Sequence, residues 1–207
     1  MSQDVPPIAS FERCAPELLD ELARYGTATV SDAMDRFGAL DSGIRAQWPD
    51  ARVVGNAFCV WTRPGDNLAV HESLDRVAPG DVLVVNGGGE VDRALIGELI
   101  AIKAKARGLS GFVLDGAARD VADLEGVGVP VFARAATPAG PYKDGPYRMS
   151  VPIAIGGVCV QPGDAMLGDR DGVVVVPRSD LTDVLARTRQ IHEGEHAKRI
   201  DYARPIR

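Results

Sequence analysis

The chain has 207 residues, a formal net charge of -6 and a pI near 5.1. That length can bury a sizeable core without disulfides or a structural metal, and 45% hydrophobic against 25% charged residues is the balance of a globular chain, not a disordered one. The acidic balance, with no basic stripe and no interleaving of aromatic and basic residues, argues against nucleic acid or an anionic membrane as partner. No apolar run approaches the roughly 18 residues that span a bilayer. The opening MSQDVPPIASFER lacks a basic region followed by an apolar stretch, so the expectation is a cytoplasmic protein. Cys14, Cys59 and Cys159 are widely spaced and read as reduced thiols, not as a metal knuckle or disulfide frame.

In chain order, helical spacing opens at 16–25, with proline in the first turn, and at 29–37, where threonine and serine hydroxyls are placed to cap. The content of 52–62 predicts a strand, 67–77 a helix, and Pro79-Gly80-Asp81 a turn. Three short apolar runs follow at 82–85, 111–114 and 130–132, each bounded by glycine, proline or aspartate, with helical segments between them. This β-α-β-α-β order implies a largely parallel sheet covered by helices, with a ligand site beyond the carboxyl ends of its strands. Segment 137–150, rich in proline and glycine, reads as a long surface loop. Strands at 158–160, 165–167 and 173–176, separated by turn sequences, are expected to be antiparallel, and 179–197 is an amphipathic helix. The expected architecture is one layered α/β domain whose central sheet is mixed and largely parallel, with a small antiparallel part.

The chemistry lies between Asn86 and Asp120. Gly87, Gly88 and Gly89 either admit a ligand close to the backbone or form a bare hinge; neither GxGxxG nor GxxxxGK[ST] occurs, so a nucleotide site has little support. Gly97 precedes a strong helix sequence. Either the helix begins there, leaving the N–H groups around Glu98, Leu99 and Ile100 as a small carboxylate site, or it runs on from Val91 with Gly97 facing a close neighbour. Arg119 and Asp120 should project at the same rim. A guanidinium offers a planar fork to a carboxylate, and an adjacent aspartate offers hard oxygen to Mg²⁺ or Mn²⁺. As a bare dipeptide the pair is more often a solvated ion pair. Asp115 stands at a strand end from which it could orient Arg119.

From Gly80 to Pro177 the chain resembles the family that joins 4-hydroxy-4-methyl-2-oxoglutarate aldolase to the regulator of ribonuclease activity A. The resemblance rests on an ordered series: PGDVLVVNGGG, ALIGEL, GFVLDGAARD, PVFAR, GGVCVQPGD and GDRDGVVVVP. Aldolases of that family carry Gly-Asp, twenty intervening residues and Arg-Asp; here Gly97-Glu98 precedes Arg119-Asp120 at the same spacing, with Glu98 one methylene longer than the usual aspartate. The resemblance implies a swivelling β/β/α-like sandwich. It implies a pyruvyl carboxylate held by the backbone of Gly97, Glu98, Leu99 and Ile100 and by Arg119, a divalent cation on Asp120, and water ordered by Glu98. The implied activity is metal-dependent retro-aldol cleavage of 4-hydroxy-2-oxo acids to pyruvate, with oxaloacetate decarboxylation through the same enolate. It further implies a homo-oligomer, trimer or hexamer, in which Glu193 or Glu195 of a neighbouring C-terminal helix could shuttle a proton. Two alternatives stand beside this reading: a non-catalytic regulator of the ribonuclease-inhibitor type, a branch that typically lacks the aspartate after the arginine, and a decarboxylase alone.

Other signals are weaker. His192-Glu193-Gly194-Glu195-His196 satisfies the H-E-x-x-H zinc pattern, yet a glycine interrupts it and the nearest further histidine is distant His71. Asp169, Arg170 and Asp171 read as a structural turn, and His71 as a helix-surface or interface histidine.

Overall fold

The computed structural model describes residues 10–204. Its elements run α1 (Pro16–Leu22), α2 (Thr27–Ala33), β1 (Arg45–Ala46), β2 (Val53–Thr62), α3 (Leu68–Ser73), β3 (Asp81–Ile96), α4 (Glu98–Ala106), β4 (Gly111–Ala118), α5 (Val121–Val127), β5 (Val131–Ala136), β6 (Tyr147–Met149), β7 (Ile153–Ile155), β8 (Val158–Val160), β9 (Ala165–Asp169), β10 (Gly172–Val176) and, after a 3-10 turn at Arg178–Asp180, α6 (Leu181–Tyr202). No helix among the described residues is long and apolar enough to cross a membrane.

The fold is mixed α/β. Eight strands form one sheet in the order β1-β5-β4-β3-β2-β9-β10, with β6 also paired to β2. The centre is parallel, β2 with β3, β3 with β4 and β4 with β5, and the flanks are antiparallel. β2 is long enough to take two partners on one side: β9 pairs with its first half and β6 with its last three residues. The central strands are apolar on both faces because both are covered. Phe58, Val60, Leu83, Val85, Phe112 and Leu114 pack with α3, α4 and α5, while the alternating Ala57, Cys59, Val82, Val84 and Val113 pack with the two-stranded β7-β8 sheet. Burying one such leucine or phenylalanine side chain contributes roughly 1.5–3 kcal/mol. A third cluster seats α1, α2 and α6 on β9 and β10.

Four local expectations are corrected. The stretch after Asn86 is not a loop leading into a helix. β3 continues to Ile96 through an excursion that spends ten residue steps where β4 spends three, from Asp115 to Ala118, and Gly88 and Gly89 turn it with φ of 70° and 74°. The Ala94 N–H donates to Ala139 O, a partner far along the chain, so the local helical spacing is overridden. Next, α2 starts two residues early and carries no cap of its own. The Asp169 carboxylate accepts from the Thr27 N–H at 2.9 Å and from its hydroxyl at 2.7 Å, while Asp35 and Arg36, both at positive φ, end the helix before Phe37. In the third place, β8 pairs with β7 in its own small sheet and does not join the β9-β10 hairpin. Lastly, the 137–150 loop ends in a strand, β6.

Asp169 therefore does for α2 what a helix's own cap normally does. Asp169→Ala should lower stability by about 1–2 kcal/mol, read from the urea midpoint at constant slope; an unchanged midpoint would contradict this assignment.

Candidate active site

Gly97 is the N-cap of α4, as the first of the two sequence readings has it, with extended backbone at φ -152° and ψ -170°. Glycine is required there by close approach and not by conformation. A Cβ on residue 97 would lie 2.5 Å from Asp120 Oδ2, 3.0 Å from Arg119 Cγ and 3.1 Å from Arg119 Nε. Those two side chains arrive from the end of β4: the Arg119 N–H donates to Ile96 O at 3.0 Å, which ties the strand end to the residue before Gly97. Asp120 then takes a left-handed conformation, φ 55° and ψ 42°, and becomes the N-cap of α5. That twist turns its carboxylate back to α4, where Oδ2 accepts from the Glu98 N–H at 3.3 Å and lies 3.5 Å from Arg119 Nε. The Ile100 N–H is already engaged by Gly97 O, so within this turn the Leu99 N–H is left without a partner among the described residues.

Both side chains remain open to solvent, 42% for Arg119 and 40% for Asp120. They stand between two concavities. One, of about 130 Å³, is bounded by Gly97, Leu99, Ile100 and residues of α3 and the 137–145 loop; the other, about 330 Å³, is bounded by Val121, Thr137 and Pro138. A concavity of about 340 Å³ lies elsewhere, among Trp61, Arg63, Pro64, Tyr147 and Arg148. It holds no carboxylate, thiol or imidazole; another, of about 310 Å³ among Asp35, Asp180, Asp183 and Arg187, holds carboxylates but lies away from the carboxyl ends of β3 and β4, so position and chemistry together select the site at Arg119 and Asp120.

The structure brings together Gly97, Leu99, Ile100, Arg119 and Asp120. Glu98 contributes its backbone to this junction, but its side chain does not line the cleft. Asp115 does not orient Arg119: it pairs with Arg134 of the neighbouring strand, which also reaches Asp41. Glu193 and Glu195 lie on α6, whose buried residues pack with α1 and α2, whereas Ile100 packs with α3, so neither glutamate belongs to the cleft of its own chain. Glu195 is engaged by Arg199 at 3.0 Å. His192 packs edge-on against Tyr25, and among the described residues no group of three His, Cys, Asp or Glu side chains is placed to hold a metal.

Two cleft residues escaped the sequence reading, Asn67 and Lys143, and His71, expected as a helix-surface or interface histidine, lines the cleft with them. Asn67 and His71 are four apart on one helical face, which is the signal that was there to be found. Lys143 carried none, being one lysine in a loop.

The model of the RraA-like family, described as Aldolase/RraA, matches residues 27–175. The chain belongs to the RraA-like family. A relative from Halalkalibacterium halodurans, which carries the provisional name 4-hydroxy-4-methyl-2-oxoglutarate aldolase, is 38% identical over 88% of this chain and 87% of its own. A Thermus thermophilus protein named 4-hydroxy-4-methyl-2-oxoglutarate aldolase is 39% identical over 73% of this chain and 92% of its own. Among solved structures, a Streptomyces coelicolor protein described as an unusual member of the RNase ES inhibitor RraA family superposes with a TM-score of 0.84 at 30% identity, over 91% of this chain and all of that one. The RraA-like family thus includes both aldolase and inhibitor names, and the residues of the cleft must decide between them.

Within this RraA-like chain, burial pushes the His71 imidazole below its ordinary value, with Lys143 and Lys103 adding to the effect and Glu72 opposing it. Because the folded value is the lower one, the unfolded chain takes up a proton first as pH falls through about 6.5, and stability is lost from there down to the folded value. His71→Gln should flatten that fall in urea midpoints measured against pH; an unaltered slope would contradict the placement of His71.

Proposed function

We propose that the chain is a divalent-metal-dependent pyruvate aldolase that cleaves 4-hydroxy-2-oxo acids of the 4-hydroxy-4-methyl-2-oxoglutarate type and decarboxylates oxaloacetate. The observation that carries the reading is the junction at Gly97, where a helix N-terminus, a guanidinium and an open carboxylate share one small cleft. A regulator that works through its outer surface has no use for that arrangement. The provisional and plain aldolase names of the relatives agree with it.

The residues present fit a magnesium- or manganese-like ion. Such ions take one or two protein carboxylates, keep several waters and leave the rest of their shell to substrate oxygens. Asp120 offers one hard, solvent-open carboxylate, and the missing Cβ at residue 97 gives its Oδ2 room beside the Glu98 N–H. When bound there, the ion supplies a Lewis acid for the 2-oxo group and countercharge for the enolate. The protein's own groups do the rest. The Leu99 N–H and the Arg119 fork hold the substrate carboxylate at the positive end of α4, so that the C3–C4 bond is presented to the outer part of the cleft. Transfer of the C4 hydroxyl proton to water lets C3–C4 break with a carbonyl left at C4, and the electron pair left on C3 is delocalised into the 2-oxo group until C3 takes up a proton in its turn. In decarboxylation of oxaloacetate the same pair is left as CO₂ departs.

Glu98 fixes Asp120 through its backbone, and in this proposal its longer side chain orders water from outside the cleft wall. The proton shuttle is assigned to Glu193 or Glu195 of a neighbouring subunit. Leu99 and Ile102, on one face of α4 beside the cleft, are 78% and 48% exposed, an apolar surface suited to cover by another copy in a trimer or hexamer.

Pyruvate release from oxaloacetate and from 4-hydroxy-4-methyl-2-oxoglutarate, with Mg²⁺ or Mn²⁺ and against the free metal's background, tests the reading. Turnover should be metal-dependent, Asp120→Ala should reduce it by about a hundredfold or more, and Arg119→Lys should raise KM and lower kcat through loss of the bidentate fork. No turnover with any metal would return the chain to the regulator reading, and near-normal kinetics in either variant would overturn the assignment of the site.

A further inference from the structure

The cleft has two ends of different chemistry. At the inner end Arg119 is balanced by Asp120. At the outer end Lys143 forms no ion pair among the described residues, and His71 is close enough for Lys143 to depress its proton affinity. Lys103, the other cation felt by His71, is occupied by Asp75 at 3.0 Å. Among the residues that line the cleft, one positive charge is thus left over at the outer end after a pyruvyl carboxylate has been accommodated at the inner one; Glu72, the acid that also acts on His71, does not line it. On the same wall Asn67, 3% exposed, donates its Nδ2 to Leu95 O and leaves Oδ1 without a partner.

A buried clamp holds this end in shape. Asp66, fully buried, accepts from the Leu68 N–H at the start of α3, the Asp144 N–H at 2.7 Å, the Gly145 N–H at 3.0 Å and Arg63 Nη2 at 3.2 Å. The helix bearing His71 and the loop bearing Lys143 are therefore fastened to one carboxylate. Tyr142 completes the fastening: its N–H donates to Gly65 O, its O accepts from the Asn67 N–H, and its ring lies under Arg93 at 4.1 Å.

We propose that Lys143 and His71 form the subsite for a second, distal carboxylate of the substrate, and that Asp66 is the positioning residue that holds them together. This rests on the aldolase reading and deepens it, since it names the residues that separate dicarboxylic from monocarboxylic 2-oxo acids. Lys143 supplies the charge. His71 donates a ring N–H, and Asp66 acts only through them.

The test is calorimetric binding of 2-oxoglutarate and 2-oxopentanoate to the Mg²⁺-saturated full chain. The two ligands have the same chain length and differ in the distal carboxylate. Wild type should bind 2-oxoglutarate at least about tenfold more tightly. Lys143→Met, at an exposed position, should bring 2-oxoglutarate to the 2-oxopentanoate level, and Asp66→Asn should shrink the same ratio with 2-oxopentanoate affinity changed less than about twofold. Should Asp66→Asn fail to fold, Arg63→Met, which removes the one side-chain partner of the clamp, replaces it with the same expected direction. Equal binding of the two acids by wild type, or an unchanged ratio in Lys143→Met, overturns the subsite while the aldolase reading stands. An unchanged ratio in a folded clamp variant overturns the role of Asp66. Binding of neither acid overturns both the subsite and the reading beneath it.

Discussion

The approach of Gly97 to Arg119 and Asp120 organises everything around it. Two parallel strands end side by side, and a helix leaves each of them. In most such places a side chain on the first helix's cap would keep the second strand's end at a distance. Here residue 97 has none, so Asp120 Oδ2 comes within 2.5 Å of where a Cβ would be and accepts from the Glu98 N–H. The arrangement has a cost, since Asp120 is left-handed without being glycine, a conformation that aspartate tolerates better than most residues and that persists where its surroundings impose it. The helix field that would draw an anion is thereby shared between a fixed protein carboxylate and whatever acid occupies the cleft, a setting in which the proposed divalent cation would add positive charge.

The sheet's parallel centre could be read from the sequence because its strands are covered on both faces and so consist of short uninterrupted apolar runs. The grouping of Gly97 with Arg119 and Asp120 came from the family resemblance and its twenty-residue spacing; that both follow carboxyl ends of neighbouring strands emerges only in the structure, because β3 was expected to end near residue 85. What failed was decided by partners far along the chain. Residues 91–96 suit a helix and a strand equally well, and the hydrogen bond to Ala139 together with pairing to β4 settles the matter. The cap of α2 comes from Asp169, remote in sequence. Asp115, only four residues before Arg119, is taken by Arg134 on the next strand. Lys143 and His71 share a cleft only because a buried aspartate ties their segments, and no local pattern announces that.

In the proposed function, these two parts of the site, a junction built by the strand ends and an outer wall built by a clamped loop, divide the work between reaction and recognition. The family contains both aldolase and inhibitor names on one fold, and a fold shared in this way assigns no activity by itself. In the proposed function, enolate chemistry rests on Asp120 beside Gly97, and selection among 2-oxo acids rests on the outer wall.

The junction is tested most directly by Mn²⁺ binding, followed by electron paramagnetic resonance with and without pyruvate, in wild type and in Gly97→Ala. The account predicts that wild type binds Mn²⁺ at Asp120 and that pyruvate tightens it, whereas the methyl group of Gly97→Ala displaces Asp120 and weakens binding by about tenfold or more in a chain that still folds. Mn²⁺ and pyruvate binding in Gly97→Ala indistinguishable from wild type would contradict it.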